Sequence, residues 1–69
     1  MEVKVVKVNG SEMNFKNINN IIELLDKLKV NEDRVVIELN GVIVSKEDFG
    51  NVNLNEDDTI EVISFVGGG

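Results

Sequence analysis

The chain alternates short runs of β-forming residues with two Asn-Gly pairs, and this pattern predicts two hairpins. Asn9-Gly10 and Asn40-Gly41 each stand between two such runs. Asn-Gly in this setting is a strong hairpin signal, because a type I′ turn needs positive φ at both central residues. The four strands predicted in this way cover residues 3–8, 12–15, 34–39 and 42–44.

A single helical pattern lies between the hairpins. Apolar residues recur there at spacings of three and four, which places them on one face of a helix. They are Ile18, Ile21, Ile22, Leu24, Leu25 and Leu28. Asn19 or Asn20 can cap the start, and Asn20 followed by Glu23 resembles a capping box. We expect the helix to end near Lys29, where a positive charge suits the helix dipole.

The last third of the chain predicts a short turn and a fifth strand. Ser45 can cap one helical turn that leads to Phe49, which we expect to close the edge of the core. Residues 59–65 alternate as a strand, with Ile60 and Val62 on one face. The other face carries Glu61, Ile63 and Phe65. A strand with apolar residues on both faces is typical of a central position in a sheet.

The element order predicts an α+β fold of the β-grasp (ubiquitin-like) type, a mixed five-stranded sheet packed on one helix. A helix between two hairpins buries its stripe on one face of the sheet. The last strand then pairs parallel with the first in the middle, and the C-terminus projects from an edge of the sheet. The predicted core contains Val3, Val5, Ile21, Leu25, Leu28, Val36, Ile60 and Val62. Because Val5 and Val6 are adjacent, the parity of the first strand is open by one residue.

Composition and charge exclude several classes of protein. Thirteen acidic against seven basic residues give a net charge of −6, which argues against nucleic-acid binding. This charge fits either docking onto a basic partner surface or solubility alone. No apolar run is long enough to span a bilayer, and the charges that follow Glu2 argue against a signal peptide. A chain without Cys folds without disulfides, so we expect a cytoplasmic protein. We also expect it to be monomeric when it is not bound to a partner.

The sequence contains no motif typical of a catalytic, metal-binding or phosphate-binding site. The serines have no His to activate them, and there is no Cys nucleophile. The acidic stretch 56–58 lacks the spacing of a calcium loop and is interpreted as a solvated turn. The glycines 67–69 are followed by no helix, so they do not form a phosphate-binding loop. We therefore predict no catalytic residue, no metal ligand and no bound cofactor.

The C-terminal sequence Phe65-Val66-Gly67-Gly68-Gly69 is the remaining candidate site. Glycines have no Cβ, so they can enter a channel too narrow for other residues. We expect a domain over residues 1–66 and a flexible tail over 67–69. The reactive group is then the α-carboxylate of Gly69, which must be converted to a mixed anhydride before it can transfer. A frayed end is the competing explanation, but these glycines directly follow an apolar strand.

The whole chain resembles the ThiS/MoaD family of β-grasp sulfur carriers. The resemblance is carried by Val8-Asn9-Gly10, by residues 39–44, by residues 58–63 and by the glycine terminus. It implies that a ThiF-type adenylyltransferase, using ATP and magnesium, adenylates the terminal carboxylate. A sulfur donor protein then supplies sulfur, and the resulting thiocarboxylate delivers it to thiazole synthase, ThiG. The reactive position maps to Gly69, with Gly68 as the second member of the pair and Gly67 as an added spacer.

The resemblance leaves the pathway and the docking surface to be determined. Chain length favours the ThiS branch over the molybdopterin branch, MoaD, while a ubiquitin-like modifier and a plain interaction domain are further alternatives. The turn 56–58 reads Glu-Asp-Asp where the family often has Asp-Gly-Asp, which changes the expected turn geometry. We expect partner enzymes to hold the sheet edge around the last strand, with Phe65 and Val66 as apolar anchors. Core packing of Phe65 is the alternative.

Overall fold

A computed structural model describes residues 3–65 as five strands, one helix and two short 3₁₀ turns. The strands are β1 (Val3–Val8), β2 (Ser11–Lys16), β3 (Val35–Leu39), β4 (Val42–Val44) and β5 (Thr59–Ser64). The helix α1 is Ile21–Leu28, and the 3₁₀ turns are Glu32–Arg34 and Lys46–Asp48. Every predicted strand and the predicted helix are present, with bounds shifted by at most three residues at one end.

Both Asn-Gly pairs form the predicted hairpin turns. Asn9 and Gly10 have φ values of 50° and 87°, and Asn40 and Gly41 have φ values of 51° and 86°. Asparagine and glycine tolerate this left-handed region, which most other side chains avoid. The turn chemistry therefore fixes the registers of β1 on β2 and of β3 on β4.

The sheet order is β2-β1-β5-β3-β4. β1 and β5 run parallel, while the pairs β1–β2, β3–β4 and β3–β5 are antiparallel. The α+β, β-grasp prediction is thereby confirmed, including the parallel pairing of the first and last strands. β5 is the third of five strands; it pairs with β3 from Ile60 to Ser64 and with β1 only at Thr59 and Ile60.

The N-terminus of α1 has a partner for each of its first four amide groups, which are otherwise unpaired in a helix. The Phe49 carbonyl accepts from Ile21 N at 3.1 Å and from Ile22 N at 3.4 Å. Asn20 Oδ1 accepts from Glu23 N at 2.9 Å, which confirms Asn20 as the cap. The Asn20 carbonyl takes the fourth amide, that of Leu24, at 3.1 Å. The helix and the segment that contains Phe49 are thus joined by hydrogen bonds between backbone atoms.

One apolar core lies between α1 and one face of the sheet. Its buried members are Val6, Val8, Phe15, Ile18, Ile21, Leu24, Leu25, Val35, Ile37, Phe49, Leu54 and Ile60. Leu28 and Val62 pack against this cluster while half-buried, so five of the eight predicted core residues, Ile21, Leu25, Leu28, Ile60 and Val62, lie in or against it. The predicted closure of the core by Phe49 is also confirmed, because this side chain is fully buried.

The predicted side-chain parity is wrong by one residue on β3, and on β1, where it was open by one residue, the structure selects the set that contains Val6. Val6 and Val8 are buried while Val3 is exposed and Val5 half-buried, and Val36 is exposed between the buried Val35 and Ile37. Consecutive apolar residues give no alternation from which to tell the faces apart. The strand pairing decides which residues face the core. Ile37 lies opposite Val62 and Val8 is aligned with Ile60, and Ile60 and Val62 face the core.

The segment 45–58 passes the N-terminus of α1, where the Phe49 carbonyl accepts from Ile21 N and Leu54 N donates to the Asn19 carbonyl, and it supplies Phe49 and Leu54 to the core. Ser45 precedes the predicted turn, but its side chain makes no capping hydrogen bond, so that part of the prediction is wrong. The turn is closed instead by backbone hydrogen bonds from Asp48 N to the Ser45 carbonyl and from Phe49 N to the Lys46 carbonyl, and Lys46 also forms an ion pair with Asp33. The hydrogen bond and the charge of Asp33 raise the pKa of Lys46 above its ordinary value. Both side chains are largely exposed, so the pair contributes little to stability.

The first prediction concerns the turn before β5, where Asp57 has a φ of 69°. Glycine adopts this conformation without strain, and the backbone bond from Asp57 N to the Val5 carbonyl does not need a side chain. We expect Asp57→Gly to raise the free energy of unfolding by up to about 1 kcal/mol, measured by chemical denaturation. Asp58→Gly is the control and should destabilise, because Asp58 accepts from Asn55 N and Asn40 Nδ2. Equal losses in both variants would contradict this account of the turn.

The second prediction concerns the core. Leu25 is 2 % exposed, so Leu25→Ala removes buried methyl groups and leaves a cavity. The free energy of unfolding should fall by about 2–5 kcal/mol in a denaturation experiment. Val42 is 65 % exposed, and Val42→Ala should change it by less than about 0.5 kcal/mol. If Leu25→Ala lowered the free energy of unfolding as little as Val42→Ala does, Leu25 would not be a core residue.

Candidate functional site

β5 is the element that leads into the C-terminal tail, and it is hydrogen-bonded until its last residue. On the β3 side the ladder runs from Leu39 opposite Ile60 to Val35 opposite Ser64. Phe65 continues this ladder, because its amide donates to the Arg34 carbonyl at 3.0 Å. The backbone is therefore positioned by the sheet as far as the residue that precedes the tail.

The predicted reactive and tail residues come after this point. Val66, Gly67, Gly68 and Gly69 lie outside the described residues, so their predicted roles stay predictions. Phe65 is described, and its side chain is 48 % exposed. This exposure disfavours the alternative in which Phe65 fills the core.

The strand position leaves two surfaces around the end of β5. β5 lies between β1 and β3, but its pairing with β1 ends at Ile60, so its second half has no strand on that flank. The expected docking at an edge around the last strand stays a prediction. The second surface is the face of the sheet opposite α1, here called the open face.

Four apolar side chains of the open face form an apolar patch beside the tail. They are Val36, Ile43, Ile63 and Phe65, all of them exposed. Val36 lies directly opposite Ile63, and Ile43, opposite Glu38, is a diagonal neighbour of Val36. Such neighbours lie within about 7–8 Å of each other. Sequence reasoning had identified Phe65 alone, although the apolar Ile63 on the outer face of β5 was a signal for the rest.

Two carboxylate side chains lie on the open face next to the apolar patch. Glu38 on β3 lies directly opposite Glu61 on β5. Like charges in this arrangement destabilise a sheet, and no basic side chain hydrogen-bonds to either of them within residues 3–65. The pair gives the open face a negative centre next to the apolar patch.

The asparagines of the two hairpin turns also contact β5 with their side chains. Asn9 Oδ1 accepts from Val62 N at 2.8 Å, and Asn9 Nδ2 donates to the Val62 carbonyl at 3.3 Å. On the other flank, Asn40 Oδ1 accepts from Thr59 N at 2.9 Å. Sequence reasoning gave both residues a turn role only, because the turn rule already accounts for an Asn before a Gly.

Other candidate chemistry on the described part of the chain is weak. A shallow depression on the open face is lined by Val5, Lys7, Glu12, Asp57 and Thr59, which places it at the start of β5 and away from the tail. Across residues 3–65, no three acidic side chains come together as a group able to hold a metal ion. The helix in the same range lacks the length and apolar character needed to cross a bilayer.

A mixed five-stranded sheet packed on one helix, with the last strand in its middle, places the protein in the β-grasp class. The model of the ThiS family matches residues 6–69. This match covers more than nine-tenths of the sequence, tail included, and the chain belongs to the ThiS family.

Individual relatives agree with this assignment. The sulfur carrier protein ThiS of Bacillus subtilis is 33 % identical over 94 % of this chain and 100 % of its own length. The crystal structure of the thiamine biosynthesis protein ThiS from Geobacter metallireducens superposes with a TM-score of 0.79 at 34 % identity, covering 94 % of this chain and 99 % of that one. A thiazole synthase of Paramagnetospirillum magneticum is 37 % identical over 90 % of this chain, which spans only 19 % of that relative.

Proposed function

We propose that this protein is the sulfur carrier of thiamine biosynthesis and that it carries sulfur as a thiocarboxylate on Gly69. The observation that supports this most directly is the ThiS family match extending through residue 69. It favours the thiamine pathway over the molybdopterin pathway, which the sequence had left as the alternative. The central strand that leads into this terminus supports the same function.

The chemistry follows from the low reactivity of a carboxylate. One oxygen of the Gly69 carboxylate attacks the α-phosphorus of ATP, so that pyrophosphate leaves and an acyl-adenylate forms. Hydrosulfide supplied by a sulfur donor then attacks the acyl carbon and displaces AMP, and loss of the S–H proton leaves the thiocarboxylate. A thiocarboxylate is a nucleophile through sulfur, so it can pass that sulfur to an acceptor enzyme.

The contribution of the chain is to present the carboxylate, and the catalysis belongs to its partners. Without His or Cys, the protein has neither an imidazole base nor a thiol nucleophile of its own for this reaction. ATP and magnesium bind to the activating enzyme, a ThiF-type adenylyltransferase. The sheet supplies a rigid body that the enzyme can hold while the tail enters its active site.

Thiazole synthase is the proposed acceptor. A domain similar to this chain makes up part of the thiazole synthase of Paramagnetospirillum magneticum, and joining two partners in one polypeptide raises their effective concentration. In the separate protein, affinity for the partner has to come from a surface. We assign that role to the apolar patch of the open face, together with Val66.

The charge of the open face indicates the chemistry of the partner surface. Glu38 and Glu61 repel each other across the β3–β5 ladder, and a cation placed between them removes this repulsion. The net charge of −6 also accelerates association with a basic protein, more so at low salt. The partner surface is therefore apolar where it meets Phe65 and basic where it meets the glutamates.

The third prediction tests Gly69. A chain that ends at Gly68 moves the carboxylate back by about 3.3 Å and changes no atom of the described core. Misplacing a reacting atom by about 1 Å can cost on the order of a hundredfold in rate. Activation should therefore fall by at least that factor, while the denaturation midpoint stays unchanged.

Intact-mass analysis measures the reaction product. The full chain is incubated with ATP, magnesium, a ThiF-type adenylyltransferase and sodium sulfide, and a known ThiS protein serves as the positive control. An oxygen-to-sulfur exchange confined to the C-terminal peptide is expected. An unmodified chain beside a converted control would overturn the proposal. A branched peptide joined to a lysine would establish a protein modifier instead, and binding without modification a plain interaction domain.

The fourth prediction tests the apolar patch. Phe65→Ala should raise the dissociation constant for the adenylyltransferase by about tenfold or more, because apolar aromatic anchors dominate such interfaces. Unfolding free energy should change by less than 1 kcal/mol, since Phe65 is half exposed. Val42→Ala is the matched control, because Val42 is an exposed apolar residue on β4 that belongs to the other face. Equal binding by both variants would exclude Phe65 as an anchor.

A further inference from the structure

The parallel pairing that holds β5 against β1 is short. Only Lys7 with Thr59 and Val8 with Ile60 are paired between the two strands, because the chain turns away at Asn9 to form the first hairpin. β5 continues to Ser64. Its second half is therefore paired with β3 on one flank and faces no strand on the other.

The side chain of Asn9 occupies the place where the next residue of β1 would pair. Its backbone amide donates to the Ile60 carbonyl at 3.0 Å, which completes the regular ladder. Its side-chain amide then engages both backbone groups of Val62, at 2.8 Å and 3.3 Å. A carboxamide has the same donor and acceptor as a peptide group, so Asn9 extends the ladder by one residue pair without extending the strand.

We propose that Asn9 is a positioning residue for partner recognition, acting through Val62 on the two patch residues that follow it, Ile63 and Phe65. Ile63 is next to Val62 in the chain and Phe65 is three residues beyond it. Without Asn9, residues 62–65 are held by β3 alone. A docking surface that becomes ordered only on binding has lower affinity, because the loss of conformational entropy opposes the favourable interaction energy. This inference rests on the proposed function, since it assumes that the open face binds the activating enzyme.

Asn40 provides a matched control within the same strand. It has the same turn position, the same following glycine and nearly the same φ as Asn9, and its Oδ1 also accepts from a β5 amide. That amide belongs to Thr59, at the end of β5 remote from the tail. Loss of the Asn40 side chain should therefore lower the stability of the turn and of β5 by a comparable amount. It does not affect the end of β5 that carries Ile63 and Phe65.

The fifth prediction compares Asn9→Gly with Asn40→Gly. Glycine keeps both turns, because Gly-Gly also satisfies the type I′ geometry, so only the side-chain contacts are lost. Amide hydrogen exchange by NMR should show Val62 exchanging about tenfold faster in Asn9→Gly and Thr59 exchanging faster in Asn40→Gly. This measurement needs no partner enzyme.

The functional arm is ATP–pyrophosphate exchange catalysed by a ThiF-type adenylyltransferase. Asn9→Gly should raise the KM for the carrier about three- to tenfold with kcat unchanged, while Asn40→Gly keeps the KM of the unsubstituted chain. Equal KM values in the two variants, or an unchanged Val62 exchange rate in Asn9→Gly, would overturn the inference. Failure of the unsubstituted chain to support exchange would instead reject the proposed function, and the Val62 exchange rates would still decide whether Asn9 holds β5.

Discussion

The pairing of β5 between β1 and β3 is the constraint on which the rest of the structure depends. It joins the last strand to the first, so the sheet cannot form until the two ends of the chain have met. Contacts this distant in sequence are costly to close, and here they are made with only two residue pairs between β1 and β5. The helix, the 45–58 segment and the asparagine side chains all support this central strand.

That position explains how a protein of this size holds the strand that precedes its glycine residues. In a 69-residue chain the core is small and a terminal strand at the sheet edge would open easily. Here the start of β5 is paired on both flanks, and its second half is paired with β3 and hydrogen-bonded to the Asn9 side chain. These contacts support the open face beside the end of β5.

The sequence predicts the elements and their order well, because each depends on a local signal. The Asn-Gly pairs, the helical spacing of Ile21 and Leu25 and the alternation in β5 are all readable without the structure. The parity of β1 and β3 is not, since runs such as Val35-Val36-Ile37 carry no alternation. It is decided by pairing with strands distant in the chain, and for this reason the sequence analysis placed Val36 in the core, whereas it lies on the open face.

The candidate site was only partly predictable for a related reason. Phe65 and the glycine terminus are adjacent in sequence, so a linear reading finds them together. Val36, Ile43 and Glu38 reach the same surface from other strands through cross-strand pairing. The second role of Asn9 is invisible in the sequence, because a residue already explained by a turn gives no further signal.

The hydrogen bond between Phe65 and Arg34 has a consequence for the partners themselves. It fixes the last described residue of the chain to the sheet, so the terminal carboxylate lies four residues from a fixed point. Four residues span at most about 14 Å. Under the proposed function, an enzyme that binds the apolar patch and reacts with Gly69 therefore has its reaction centre within this distance of Phe65. Partner enzymes of different chemistry that bind the same patch would then share this one distance.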